Sequence, residues 1–593
     1  MNLKRVSPSE SRRAFSGSWK ESSFFDPVKD HRPGPVVVLA ACGLFLTVVS
    51  AVLVLLLQPE LRDGQLPRSR SASQGESSRS AFNESYLNAA TGQDTTRRRE
   101  CSSCHPTADD SEAWKSSVLN SRAALSRQAW ALKISLPAKC GLCHLVPDPS
   151  NLPRQSWREV MSRMDQIMVT RGVQKLSDAE FQDVLHFYFT FSREAPPQLA
   201  EDPDPRESPL KFERIVLGNP PGPDSRDHPF LGHVQIADLD QDGRPDVLLS
   251  DTGKSAVTWI HRQNKVWRED TLASLPNPAH TQVLAGRRAG ALDIVVGCLG
   301  TTGPTDDLVG SVRLLVNDGT THFTPMTILD NVGRVADVEP GDFDGDGDTD
   351  FVVAAYGFIN QGEVGWLEKQ SDETYRYHQI VKKTGAVNAL PVDINGDGHL
   401  DFIVLFAQEH EEISAFINDG KGGFSERVLF KAATPAFGSS GIQLVDLDKD
   451  GDQDILFTNG DNLDLPTIIP RPYHGVQWLE NRGNLNFVWH DIYRCYGAYC
   501  AVAGDLNNDG HLDIVVTTLF NDWSDPKRAT LLWLENDGQQ RFLPHSIATR
   551  PTHLISAAIA DIDGDGRLDI VTCGMYGFPP FDRTGRVTLW RNK

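Results

Sequence analysis

Apolar residues follow three different patterns along this chain. Residues 36–57 form an uncharged run of 22, long enough to cross a bilayer as one helix. Residues 59–100 are rich in Ser, Arg, Gly and Gln and show almost no apolar periodicity, which is the composition of a flexible tether. Residues 157–168 and 181–191 repeat apolar positions with helical period, and Ser177-Asp-Ala-Glu180 ahead of the second run reads as a capping box. From residue 210 to the end, short β-branched strands alternate with turn-rich loops in units of about fifty residues.

Each strand unit is introduced by an acidic loop of the form D-x-[DN]-x-D-G-x-x-D, which occurs six times. The ligand-type positions are Asp238, Asp240, Asp242 and Asp246; Asp342, Asp344, Asp346 and Asp350; Asp393, Asn395, Asp397 and Asp401; Asp446, Asp448, Asp450 and Asp454; Asp505, Asn507, Asp509 and Asp513; and Asp561, Asp563, Asp565 and Asp569. Oxygens at loop positions 1, 3, 5 and 9, with a backbone carbonyl at 7, converge when the chain turns sharply, and the Gly at 6 permits that turn. Hard oxygen ligands in this number suit Ca²⁺, so up to six ions are expected. An EF-hand is excluded, because position 12 of the first copy is Leu249 and a strand follows where a helix is needed. Plain Asp-Gly hairpin turns remain the competing reading for any one copy, but six copies with the same ligand positions argue against it.

The loops start 104, 51, 53, 59 and 56 positions apart. The doubled first gap contains Ala291-Leu-Asp293-Ile-Val-Val-Gly, which keeps the last Asp and its strand and lacks the other ligands, so it reads as a seventh, metal-free copy. A second strand in most units carries Trp (Trp259, Trp366, Trp478, Trp533, Trp590), and third strands are expected at 424–430 and 542–548. Such a period with several short strands per unit predicts propeller blades. The chain stops in the second strand of its last unit, at 587–590, and residues 211–216 match the missing outer strand, so both ends are expected to complete one blade and hide its edges. Residues 210–593 resemble the FG-GAP/VCBS repeat family, whose propellers include the head of integrin α-chains. The resemblance implies a Ca²⁺-holding role for the loop residues and does not extend to ligand recognition.

The 593-residue length allows three or four domains. The formal charge of −21 is mostly accounted for by the aspartates of the six loops and does not suggest nucleic-acid binding. Of nine cysteines, four form the strings Cys101-Ser-Ser-Cys104-His105 and Cys140-Gly-Leu-Cys143-His144. C-x-x-C-H lets two thiols add to the haem vinyl groups while the His ligates iron from below. Zinc, redox-dithiol and disulfide readings compete, but none needs a His after the second Cys. The second string, the Met-bearing helix and the closing helix, spanning about 140–192, resemble a small class I c-type cytochrome. That resemblance implies His144 and a Met as axial ligands, with Met164 preferred and Met161 and Met168 as alternates. The first string ends 35 positions before the second begins, with neither Met nor a further His between them. One or two haem c groups are therefore expected, the first resting on Cys101, Cys104 and His105. Cys495 and Cys500 are close enough for a loop disulfide, and Cys298 and Cys573 follow strands as buried thiols.

The expected organisation is multidomain: a cytoplasmic segment 1–34, a transmembrane helix at 35–58 acting as an uncleaved signal-anchor, the tether 59–100, an all-α cytochrome c-like domain 101–192, a Pro-rich linker 193–209, and an all-β seven-bladed propeller 210–593. Lipidation at Cys42 is the alternative to a plain anchor, though the apolar run continues well past it. Basic residues before the run favour a cytoplasmic N-terminus, although Arg62, Arg68 and Arg70 follow it. Covalent haem and calcium loops both place the bulk of the chain outside the cytoplasm, in a periplasm or beyond. The function expected is that of a membrane-anchored electron-transfer protein, with a propeller docking a redox partner protein or a surface ligand. Two alternatives are a surface adhesion or carbohydrate-binding protein with an accessory haem domain, and a haem-linked oxidoreductase with its site on the propeller. No Gly-rich cofactor loop or nucleophile elbow favours the enzyme, and His399 and His511, at loop position 7, read as solvated.

Overall fold

The computed structural model describes residues 136–141, 146–195, 204–219, 228–288, 290–463 and 471–593. The uncharged run 36–57, the tether, Cys42, Cys101, Cys104, His105, Cys143 and His144 lie outside the described residues. Among the described residues no helix is long and apolar enough to span a membrane.

Seven four-stranded antiparallel sheets follow one another along the chain as the blades of a propeller. In six of them an acidic loop joins the innermost strand to the second, and in the second blade the ligand-free copy takes its place; in the fourth blade these strands are Ala386–Val392 and Asp401–Phe406. Counting units from the loop overlooks that innermost strand. Its half-buried, mixed composition carries little of the period-2 signal that marks the others. Second strands such as Asp350–Ala355 and Asp569–Gly574 are buried at every position. That explains why they read as unbroken apolar runs, since both faces pack against neighbouring blades. The core therefore lies between blades: Leu248, Val257 and Trp259 of the first pack with Ile294, Val296 and Leu315 of the second.

The ring closes as the sequence predicts. Phe212–Val216 pairs antiparallel with Val587–Asn592, Phe212 facing Asn592 and Val216 facing Thr588. Part of the Pro-rich linker is also structured. Arg206–Glu207 runs parallel to the outer strand of the sixth blade, Arg206 facing His545, and adds a fifth strand there. A buried ion cluster ties the closure across blades. Arg586 Nη2 lies 2.8 Å from Asp251 Oδ2 and 2.6 Å from Glu269 Oε1, with all three side chains 5 % exposed or less.

Three blades share a cross-strand clip. Trp366, Trp478 and Trp533 face His378, His490 and His545 directly, with ring centroids 4.6–4.9 Å apart. The same histidines pair with Glu368, Glu480 and Glu535, two residues past each Trp. Opposed pairs of this kind fix strand register. Cys495 and Cys500, considered above for a disulfide, are not bonded to each other. Cys495 follows the outer strand of the fifth blade, and Cys500 sits in the innermost strand of the sixth. Cys298 and Cys573 are buried thiols, as expected.

Among the described residues two α-helices precede the propeller: α1, Trp157–Thr170, and α2, Asp178–Phe191. The capping box forms, with the Ser177 side chain accepting from Glu180 N and Glu180 accepting from Ser177 N. Lys139 Nζ bonds Glu180 Oε2 at 2.8 Å and so pins the 3-10 turn Ala138–Gly141, which carries Cys140, to the start of α2.

Candidate haem cavity and acidic loops

Strands alternate in direction within a blade, so all acidic loops fall on one face of the ring. The loops joining second to third strands, and the blade-to-blade connections, fall on the other. The helical unit sits on that other face. Asn151 Nδ2 donates to Thr434 Oγ1 at 2.7 Å, between the fourth and fifth blades. Arg171 donates to the Ile359 carbonyl at 2.7 Å and pairs with Glu409. Glu409 in turn accepts from Thr384 Oγ1 at 3.0 Å.

Between helices and propeller lies a cavity of ≈ 260 Å³. Cys140 lines it, as do all three candidate methionines, Met161, Met164 and Met168. Met161 and Met168 are otherwise buried, and Met164 is half-buried. Trp157, Leu152 and Tyr188 form the back wall, while Phe358, Ile359, Pro435 and Ala436 of the propeller form the front. Lys139, Arg163, Arg171 and Arg471 bring cations to it. The stack of Trp157 on Tyr188, 3.8 Å between centroids, holds the segment that leaves the Cys string. Trp157 Nε1 donates to the Pro149 carbonyl at 3.2 Å and the Tyr188 hydroxyl to the Pro147 carbonyl at 3.1 Å. Burial pushes the Cys140 thiol above its ordinary pKa, with Lys139 pulling the other way. The propeller wall went unnoticed in the sequence because Phe358, Ile359 and Ala436 sit in loops with no motif of their own.

The residues matched by a family model described as "Dihaem cytochrome c" are 137–216, and those matched by the "FG-GAP-like repeat" model are 289–353, 360–457 and 519–572. The chain is an FG-GAP-repeat propeller joined to a cytochrome c-type domain. The cytochrome match takes in the second C-x-x-C-H string and begins well after the first. Two curated relatives, both named T-cell immunomodulatory protein homolog, are similar to this chain. That of Plasmodium yoelii yoelii is 26% identical over 269 residues, covering 39% of this chain and 37% of its own. That of Plasmodium falciparum (isolate 3D7) is 25% identical over 295 residues, covering 42% and 39%. The chain thus spans about two-fifths of the length of these relatives. Among solved structures, BBS1N in complex with ARL6DN, soaked with lead, aligns at a TM-score of 0.41 and 9% identity, over 64% of this chain and 97% of that one.

The acidic loops of the FG-GAP propeller share one internal geometry. In all six, the backbone N–H of the Gly at position 6 donates to the position-1 aspartate, for example Gly243 N to Asp238 Oδ2 at 2.9 Å and Gly566 N to Asp561 Oδ2 at 2.8 Å. That Gly has φ of +85° to +100° throughout, where a side chain would be strained. Carboxylate oxygens of three aspartates come within 4.8 Å of one another in four loops: Asp238, Asp240 and Asp246; Asp342, Asp344 and Asp350; Asp446, Asp448 and Asp454; Asp561, Asp563 and Asp565. In the other two loops the amides of Asn395 and Asn507 donate to Asp397 and Asp509, each at 2.9 Å. Such a set can hold a hard cation. Burial pushes Asp246, Asp401, Asp513 and Asp569 up to about 6, and Asp350 and Asp454 up to about 7. His399 and His511 are exposed, as expected, and lie over Gly420 and Gly538 of the neighbouring turns.

Position 9 does more than the spacing suggests. Asp401 Oδ2 accepts from Ile394 N at 3.3 Å and its Oδ1 from Asn418 N at 2.7 Å, clipping the loop to the end of the third strand. Asp350, Asp454, Asp513 and Asp569 do the same. So does Asp293 of the ligand-free copy, accepting from Asn317 N at 2.8 Å and Arg287 N at 3.0 Å. This backbone clip explains why the copy that lost its other ligands keeps this one. Asp293→Ala is expected to cost about 2–4 kcal/mol by stranding two N–H groups. Urea unfolding should show the same loss with and without calcium; a loss seen only with calcium would refute the clip.

Proposed function

We propose that this chain is an extracytoplasmic electron-transfer protein. In this reading haem c sits in the cavity that the cytochrome domain shares with the propeller. Cys140 and Cys143 would attach it, and His144 together with Met164, Met161 or Met168 would hold its iron. The observation that carries the reading is the cavity itself: one Cys of the attachment string and three Met thioethers meet there in an apolar chamber with cations nearby. The residues fit the group, since a thiol, thioethers and an apolar wall are what covalent haem with a Met ligand requires. Bound there, haem would supply a reversible one-electron couple. The chain's own residues do the rest. Trp157 and Tyr188 fix the attachment segment, Phe358, Ile359 and Ala436 shut water from one side, and Lys139, Arg163 and Arg171 offer charge to propionates.

The propeller's role in this proposal is to cover and orient the haem, with the six acidic loops binding Ca²⁺ on the opposite face. Residues 36–57 would anchor the chain, and a redox partner protein would exchange electrons at the cytochrome domain. The test is a pyridine haemochrome assay on the full chain, produced with a c-type maturation system. One haem per chain should be lost in the Cys140→Ser, Cys143→Ser double variant. A second haem that disappears with Cys101→Ser and Cys104→Ser would assign the first string as well. An unchanged haem content in the first double variant would overturn the reading.

A further inference from the structure

The innermost strands of the first three blades carry a polar cluster that neither the haem cavity nor the acidic loops use. His280 lies on Pro278–Ala285 of the second blade, and Asp337 and Glu339 lie on Val335–Gly341 of the third. One ring nitrogen of His280 and one oxygen each from Asp337 and Glu339 fall within 4.8 Å of one another. His280 Nδ1 is 2.8 Å from Asp337 Oδ1, and His280 Nε2 is 3.7 Å from Glu339 Oε1.

The cluster is built and rigid. Asp337 Oδ1 accepts from Val338 N at 2.9 Å and Oδ2 from Ala389 N of the fourth blade at 3.0 Å, so the carboxylate cannot swing. Its side chain is 1 % exposed, that of Glu339 12 % and that of His280 14 %. Among the described residues neither carboxylate has a Lys or Arg ion partner; His280 is their shared one. Two carboxylates and one imidazole thus share a confined site, and buried charge of that kind is either paired or bound to metal. A second observation points the same way. The His233 ring, on His233–Ala237 of the first blade, lies 4.1 Å from that of His280, and its Nδ1 is sealed from solvent without a hydrogen-bond partner. The side-chain Oε1 of Gln235, two residues on, is likewise sealed and unpartnered, while its Nε2 donates to Gln282 Oε1 at 2.7 Å.

We propose that His280, Glu339 and Asp337 form a binding site for one first-row divalent transition ion, with Zn²⁺ as its probe. Asp337 Oδ1 lies at ion-pair distance from His280 Nδ1, yet that nitrogen, like His233 Nδ1, is sealed from solvent and has no hydrogen-bond partner of good geometry, so the imidazole is held among acceptors without a donor satisfying it. The 3.7 Å gap between His280 Nε2 and Glu339 Oε1 is spanned by an ion about 2.0–2.2 Å from each. An imidazole in the set selects a borderline ion over Ca²⁺, which takes oxygen alone. The site is therefore chemically separate from the acidic loops. It joins the second blade to the third, with His280 and Asp337 toward the end of the inner strands remote from those loops and Glu339 nearer the middle.

The experiment uses the full haem-loaded chain, saturated with Ca²⁺ and stripped of transition metals by a chelator that spares Ca²⁺. Zn²⁺ is titrated in and bound metal is counted after dialysis; Co²⁺ is titrated in parallel and read by its d–d absorption. One Zn²⁺ per chain is expected, with affinity falling at least tenfold in both H280A and E339Q. The Co²⁺ spectrum should be that of nitrogen and oxygen ligands. Circular dichroism checks that each variant is folded. Should H280A fail to fold, E339Q, which keeps shape and loses only charge, and the wild-type Co²⁺ spectrum still decide. Absence of Zn²⁺ binding, binding unchanged in E339Q, or a Co²⁺–thiolate charge-transfer band would overturn the assignment.

Discussion

Replacing Arg586 with Ala is expected to destabilise the propeller by about 3–5 kcal/mol, the usual cost of removing one member of a buried ion cluster. Arg586 sits at the entry to the third strand of the seventh blade, Val587–Asn592, and reaches Asp251 and Glu269 of the first, so it bonds across the seam where the ring closes. Both carboxylates have other partners. Asp251 Oδ1 accepts from Lys254 N at 2.9 Å, and Glu269 Oε2 accepts from Asn219 N at 2.7 Å. Neither acid can therefore turn to solvent when the guanidinium is lost, and two negative charges remain in a dry site. The control is the triple replacement Arg586→Met, Asp251→Asn, Glu269→Gln, which removes charge on both sides and should recover most of the loss. Urea unfolding of the three proteins checks this. If the triple variant is no more stable than Arg586→Ala, the lost energy came from packing and not from stranded charge.

The seam shows which parts of the structure can be read in a sequence. The closing strand was legible because 211–216 has the pattern of an outer strand and the last unit lacks one. Arg586, Asp251 and Glu269 carried no such signal. They stand 335 and 317 positions apart along the chain, and only the ring brings them together. The acidic loops were legible as loops because their chemistry is local: Asp and Gly at fixed offsets are the whole device. Their second role was not, since the partner of Asp401 Oδ1 is a backbone N–H 17 residues on. Backbone donors leave no mark in composition. The same reasoning covers the cavity proposed for haem. Cys140 and the methionines of α1 announce themselves by spacing, but the wall opposite them comes from connections between blades, where Phe358, Pro435 and Ala436 look like ordinary loop residues. Placement on the face away from the acidic loops follows from strand direction once four strands per blade are known. Missing the innermost strand hid it.

Withdrawal of calcium is expected to produce the largest loss of stability short of unfolding. An ion bound only to the folded loop stabilises by RT ln(1 + [Ca²⁺]/Kd). For an extracellular-type loop with Kd of about 10⁻⁴ M, in about 2 mM Ca²⁺, this is roughly 2 kcal/mol per site and roughly 10 kcal/mol over six. For a domain of this length the melting temperature should fall by roughly 10–15 °C on adding EGTA. The loss has a repulsive part as well, since four of the loops hold three carboxylates within 4.8 Å of one another. Without an ion the residual stability should therefore depend on salt, which screens the exposed members of each set. Differential scanning calorimetry in EGTA at low and high NaCl separates the two parts. A melting temperature unmoved by EGTA at either salt concentration would mean that these are Asp-Gly turns held by their own backbone bonds. In that event Gly243 N to Asp238, and its five counterparts, would be the whole reason for the motif. A shift that is large and salt-dependent would leave those bonds as the scaffold that waits, already shaped, for the ion.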